Sequence, residues 1–153
     1  MKKIALIASS GGHLEQLMML RPLSEKFDTF TVTEKTGYSA GDTGNRVYYL
    51  KQVNRREWKF IPLMLINTFL SLRILLRERP DAVICTGALA TVPFCLLAKR
   101  VFRKKLIFIE SFAKVTDGTI TGKLMYKHAD QFIVQWESML KVYPKAKYLG
   151  GIY

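Results

Sequence analysis

At 153 residues the chain has the length of one domain and is long enough to close a real core. Its 24 basic and 12 acidic residues give a net charge of +12, beside 49% apolar residues and a mean hydropathy of +0.07. High hydrophobicity with strong positive charge points to an anionic membrane surface at least as much as to nucleic acid, and no nucleic-acid-binding motif accompanies the charge. Two cysteines, Cys85 and Cys95, are too few for a disulfide framework; both lie in apolar runs and read as buried thiols in a reducing compartment. Lys2 and Lys3 precede an apolar run of only about five residues, too short for a signal-peptide core, so a cytoplasmic protein beginning with its first strand is expected.

In chain order, residues 2–8 are a first strand whose apolar run Ile4-Ala5-Leu6-Ile7-Ala8 breaks at Ser9-Ser10-Gly11-Gly12-His13. Helical spacing follows over 14–26, with Pro22 bending or restarting the helix. Residues 28–33 are β-branched and aromatic, a second strand. Residues 35–45 are polar, with Gly37, Gly41 and Gly44, and read as a mobile loop before a short third strand at 46–50. A basic connection, 51–57, leads into the most apolar segment, 58–76. Residues 81–85 are a fourth strand ending in Thr86-Gly87-Ala88, and a helix over 89–101 carries Pro93 in its first turn. A fifth strand at 105–109 ends in Glu110-Ser111-Phe112. A helix at 119–128, a strand at 131–134, a helix at 137–143 and a last strand at 146–149 complete the pattern. Alternation of apolar strands with helices predicts an α/β, doubly wound, mostly parallel sheet, Rossmann-like, in a single domain over 1–153. Ligands of such sheets bind outside the C-terminal strand ends, where three strands here end in glycine, hydroxyl or carboxylate.

The Ser9–His13 turn runs into a helix N-terminus, whose free N–H groups and positive dipole end suit a phosphate. The alternative is a plain strand-to-helix turn with no ligand. A dinucleotide fingerprint fails here: Glu34 would serve as the ribose acid, but the glycine positions are occupied by Ser9, Gly11 and Leu14. No Walker A loop is present, and His13 and His128 stand too far apart in sequence to suggest a metal motif; no resident cofactor and no metal are expected. His13 offers an imidazole, which ordinarily titrates near neutrality, as a general base, or else a capping group. Glu110 ends a buried strand, where either a catalytic carboxylate or a salt-bridged structural acid would be placed.

From Phe60 to Leu76, twelve of seventeen residues are Phe, Ile, Leu or Met. As a helix this spans roughly 25 Å, short of a ~30 Å hydrocarbon core. Asn67, Ser71 and Glu78 fall within about 40° on the wheel, leaving a wide apolar face. Arg55, Arg56 and Lys59 flank one end, and Arg73, Arg77 and Arg79 the other. A Trp-led, basic-flanked helix of this kind reads as lying in a membrane interface, with Trp58, Phe60, Leu65, Phe69, Leu72 and Arg73 as contacts. The alternative is a crossover helix buried between sheet and partner. Arg100, Arg103, Lys104 and Lys105 form a second basic cluster, placed either for lipid phosphates or for water.

Five motifs then stand in series: S-S-G-G-H (Ser9 to His13), T-G-A-L (Thr86 to Leu89) with Pro93, I-E-S-F-A-K-V (Ile109 to Val115), V-Q-W (Val134 to Trp136) and Y-L-G-G (Tyr148 to Gly151). Over essentially its whole length the chain resembles the membrane-associated subunit of the two-subunit N-acetylglucosaminyltransferase of dolichol-linked oligosaccharide synthesis, and most nearly bacterial capsule and exopolysaccharide members of that family. The resemblance implies the N-terminal, acceptor-side half of a GT-B glycosyltransferase whose catalytic, UDP-sugar-binding C-terminal half is a separate partner chain. It implies a polyprenyl-diphosphate-linked sugar acceptor at the cytoplasmic membrane face. Ser9, Ser10, Gly11, Gly12, Gly87 and Ser111 would hold the acceptor diphosphate, and His13 or Glu110 would be the base. The eukaryotic members carry an N-terminal membrane anchor; with none expected here, attachment is expected to rest on the 58–76 helix and the basic clusters. A stand-alone nucleotide-dependent enzyme and a non-catalytic membrane scaffold remain as alternatives.

Overall fold

A computed structural model describes residues 1–37 and 43–152. Seven parallel strands form one sheet: β1 (Lys3–Ile7), β2 (Asp28–Lys35), β3 (Arg46–Lys51), β4 (Ala82–Cys85), β5 (Lys105–Ile109), β6 (Gln131–Val134) and β7 (Lys147–Tyr148). Their spatial order is β3-β2-β1-β4-β5-β6-β7, so the strand order reverses between β1 and β4. β1 pairs with β2 from Lys3↔Asp28 to Ile7↔Val32 and with β4 from Ile4↔Ala82 to Ile7↔Cys85. This is the doubly wound, Rossmann-like arrangement that the apolar strands predict, and it puts the Ser9–His13 turn at the switch point.

The pleat sends alternate residues to two cores. Ala5, Ile7, Phe30, Val32, Val83, Cys85, Phe108 and Phe132 face one side. There they meet helices α2 (Phe60–Glu78), α3 (Val92–Leu96) and α4 (Ile120–Met125). Ile4, Leu6, Ala8, Ile84 and Ile109 face the other side, under the short helix α1 (Gly12–Met18). Cys85 and Cys95 are both fully buried as free thiols.

Three helices differ from their sequence-based outlines. The helix expected over 14–26 is divided into α1 and a 3₁₀ turn, Arg21–Glu25. Pro22 sits at the start of that turn, where its missing N–H is harmless, but it could not have continued α1. The helix expected over 89–101 is composite: a 3₁₀ turn Leu89–Thr91, then α3, then a π-helical turn Leu97–Val101. The helix expected over 137–143 is a 3₁₀ turn, Glu137–Lys141. Of the loop expected over 35–45, Lys35 ends β2, and residues 38–42, including Gly41, lie outside the described residues.

α2 is the anomaly of the packing. Its buried residues are Asn67, Ser71, Ile74, Leu75 and Glu78, so the polar stripe faces the sheet. Asn67 closes the end of β3, accepting from the Lys51 N–H (2.7 Å) and donating to the Lys51 carbonyl (2.8 Å). Glu78 takes Lys3 Nζ at 2.9 Å, Arg46 at 3.3 Å and the Tyr48 hydroxyl. The apolar face points out: Trp58 is 84% exposed, Leu65 67% and Phe69 68%. Arg73 is exposed, whereas Phe60 and Leu72 are half-buried. By length and composition α2 is able to cross a membrane. However, β3 and β4, which it connects, belong to one sheet, and a span would put them on opposite sides of the bilayer.

Candidate active site

Three loops meet at the C-terminal edge of the sheet. Ser9 staples the first to the second: its N–H donates to the Gly87 carbonyl at 2.6 Å, and its Oγ accepts the Ala88 N–H at 2.9 Å. Ser10 is anchored from below, its N–H (3.3 Å) and hydroxyl (3.1 Å) both donating to Glu34 Oε2. Glu34 Oε1 accepts the Val53 N–H at 3.2 Å, so this carboxylate ties the glycine loop to the basic connection ahead of α2. The acid that a dinucleotide site would need for a ribose therefore has its donors inside the protein. Gly11 caps α1 at φ +78°, and the N–H groups of Leu14 and Glu15 close on its carbonyl.

His13 is fixed by a reciprocal pair. Its Nδ1 lies 2.7 Å from the Thr86 carbonyl, and the Thr86 hydroxyl donates to the His13 carbonyl at 2.7 Å. A carbonyl only accepts, so Nδ1 carries the proton and the neutral ring keeps its lone pair on Nε2. Gly87 makes this approach feasible: it sits at φ +103°, and a Cβ there would lie 3.2 Å from the imidazole.

Glu110 is built differently. It is 1% exposed, and both carboxylate oxygens are engaged. Oε1 accepts the Ser111 N–H (2.9 Å) and the Thr119 hydroxyl (2.8 Å); Oε2 accepts the Thr119 N–H (3.1 Å) and the Tyr143 hydroxyl (2.8 Å). Burial first, and then the hydrogen bond to Glu110, push the Tyr143 phenol well above its usual range, so it remains a donor. Gly122 leaves the room this carboxylate occupies, since a Cβ would fall 1.9 Å from Oε2. The loop after β5 is further pinned by Trp136 Nε1 to the Phe112 carbonyl (2.6 Å) and by Gln135 Nε2 to the Glu110 carbonyl (2.9 Å).

Between these loops lies an open cleft of about 470 Å³, lined by Gly12, His13, Gln16, Ser111, Phe112 and Ala113. Of the residues singled out in the sequence, Gly12, His13 and Ser111 line it; Ser9, Ser10, Gly87 and Glu110 set the loops around it. Sequence reasoning marked Thr86 as a strand end at the ligand edge but not as the group that fixes the His13 tautomer, and it missed Gln16, which lies one helical turn beyond Gly12. It also missed Tyr143, which is 33 residues from the carboxylate it serves. Spacing along α1 would have found Gln16. Among the described residues, no group of three or more His, Cys, Asp or Glu is placed to hold a metal ion.

Among solved structures, Acinetobacter baumannii MurG superposes on 90% of the chain with a TM-score of 0.75 at 17% identity. UDP-N-acetylglucosamine 2-epimerase from Rickettsia bellii superposes on 99% with a TM-score of 0.75 at 20% identity. These likenesses establish a Rossmann-like fold of the GT-B type. The chain spans only 43% and 45% of those two structures, less than half of each. In sequence, 97% of the chain aligns at 27% identity with 82% of the human UDP-N-acetylglucosamine transferase subunit ALG14, and 97% at 26% identity with 82% of the Schizosaccharomyces pombe subunit. The model of the family described as "Oligosaccharide biosynthesis protein Alg14 like" matches residues 45–152, which hold α2, β4 and the Glu110 loop. The chain belongs to the Alg14-like family of oligosaccharide biosynthesis proteins.

Proposed function

We propose that this protein is the acceptor-binding, membrane-docking subunit of a heteromeric glycosyltransferase, working with a partner chain that holds the UDP-sugar. The observation that carries this reading is the family match over residues 45–152, joined to an open cleft at the switch point of the sheet. The family's named relatives are transferase subunits, which supports a shared activity rather than a stand-alone one.

In this reading the glycine loop cradles the diphosphate of a polyprenyl-linked sugar, with Gly11 and Gly12 admitting the phosphate close to the backbone. Ser9, Ser10 and Gly87 hold that loop in place, and Ser111 closes the cleft opposite. His13 Nε2 takes the proton from the acceptor hydroxyl as its oxygen attacks C1 of the donor sugar and UDP leaves; the inverted glycoside forms in one displacement. Glu110 positions the loop after β5 and is not the base, because its four donors occupy the lone pairs a base would need. The polysaccharide is proposed to be a capsule or exopolysaccharide, on the motif resemblance alone. Membrane attachment on the cytoplasmic face rests on the outward apolar face of α2 and its flanking arginines.

Two measurements test the proposal. Isolated protein titrated with UDP-sugar should show no micromolar binding, and transfer to a lipid-diphosphate sugar should need the partner; tight binding or transfer by the single chain would overturn the split-enzyme reading. Leu65→Glu with Phe69→Glu should abolish sedimentation on anionic vesicles while leaving a soluble, folded protein. Undiminished sedimentation would refute the α2 surface.

A further inference from the structure

Beside α2 runs a second concavity, an apolar groove of about 510 Å³. Met64 and Thr68 of α2 form one wall, Pro93 and Leu97 the other, and Arg100 and His128 stand at one end. Val101 on the groove is 61% exposed, and Thr68 on the opposite wall is exposed and adjoins Phe69 of the outward ridge.

The two ends of the groove differ in charge. Pro93 lies just after the Thr86–Ala88 loop, at the catalytic edge of the sheet. Arg100 and His128 precede β5 and β6 and lie at the opposite edge. Nine residues of helix, roughly 13 Å, separate Val92 from Val101. The Arg100 guanidinium donates to His128 Nδ1 at 3.1 Å, a neutral nitrogen rather than a carboxylate. Asp130, the acid beside this cluster, already holds Lys99 and the Leu106 N–H. Burial first, and then the charges of Arg100 and Lys127, hold the His128 imidazole below its ordinary range. Arg103 and Lys104 add further positive charge. An apolar slot ending in an arginine with no carboxylate partner among the described residues complements a lipid with one anionic head and an apolar chain.

We propose that this groove binds a single anionic phospholipid, its phosphate on Arg100 and one acyl chain between α2 and the π-helical turn. The proposal rests on the membrane-docking reading of α2. The acceptor's diphosphate is not the anion here, because the glycine loop lies at the other sheet edge. A bound lipid would hold the exposed ridge of α2 at a fixed depth.

The test uses the full chain, isotopically labelled, and dihexanoyl phosphatidylglycerol below its micelle concentration. The expected result is one saturable site, read at Leu97 and His128, with binding at least ten-fold weaker for dihexanoyl phosphatidylcholine and for glycerol 1-phosphate. Arg100→Gln and Thr68→Trp, which fills the groove from its solvent side, should each weaken phosphatidylglycerol at least ten-fold. Equal affinity for phosphatidylcholine, equal affinity for glycerol 1-phosphate, or indifference to both substitutions would overturn the site. Leu65→Glu with Phe69→Glu separates the two readings, since it should abolish vesicle sedimentation and retain the soluble lipid. Wild-type protein that sediments on vesicles yet does not bind the soluble lipid would sink the groove alone.

Discussion

His13 and Glu110 stand at two strand ends of one sheet edge, and the protein builds them in opposite ways. His13 has one ring nitrogen fixed on Thr86 while Nε2 has no partner among the described residues. Glu110 has four donors on two oxygens and almost no exposed surface. The contrast teaches that a titratable residue at a ligand edge is chemically available only where its hydrogen-bonding capacity is left unfilled. A filled, buried carboxylate instead organises backbone, as Glu110 does for the loop that closes the cleft.

The largest effect should come from emptying the filled site. Glu110→Ala strands the buried N–H groups of Ser111 and Thr119 and the Tyr143 hydroxyl. At roughly 1–3 kcal/mol for each unsatisfied buried donor, a loss on the order of 4 kcal/mol is expected in denaturant unfolding. A loss under about 1 kcal/mol would show that the loop does not depend on this carboxylate.

Glu78 sharpens the comparison, being a buried carboxylate held by cations at the opposite sheet edge. Burial opposes its charge, but the bonds from Tyr48 and Lys3 and the nearby Arg46 outweigh that and keep its carboxyl below the ordinary range. A depressed folded value means its stabilisation is complete above the unfolded value of about 4.3 and is lost as pH falls through the folded value. Glu78→Gln should destabilise by about 2 kcal/mol at neutral pH, as expected for hydrogen bonds to a charged group. The deficit should shrink below about pH 4 in pH-dependent melting. A deficit constant across that range would contradict the ionic account.

The smallest effect should come from Gly87→Ala. Left-handed backbone with a Cβ costs about 1–2 kcal/mol, and that Cβ presses on the His13 ring. Transfer should fall more than stability does. Equal retention of both would detach Gly87 from the histidine.

Much of this was legible in the sequence. β1, β4 and β5 are apolar runs stopped by hydroxyl, glycine or carboxylate, and those stops mark the ligand edge. The helical wheel separates Asn67, Ser71 and Glu78 from the apolar face, but periodicity does not say which face turns inward. Asn67 goes inward because the Lys51 backbone needs a partner where β3 ends, and Glu78 because Lys3 and Arg46 meet there. Neither contact is local in sequence. The saturation of Glu110 was equally hidden, since Thr119 and Tyr143 come from later elements. Helix subtypes were hidden too: the widening of 97–101 into a π turn has no compositional mark.

The most direct test is transfer by the reconstituted pair with His13→Ala and Glu110→Gln, each measured beside its melting temperature. The account predicts that His13→Ala lowers the rate by about 10²–10⁴ with a much smaller fall in the melt than emptying the Glu110 site gives. It predicts that Glu110→Gln lowers the melt while the surviving folded fraction still transfers. A fully active His13→Ala pair, or a stable but inactive Glu110→Gln pair, would contradict it.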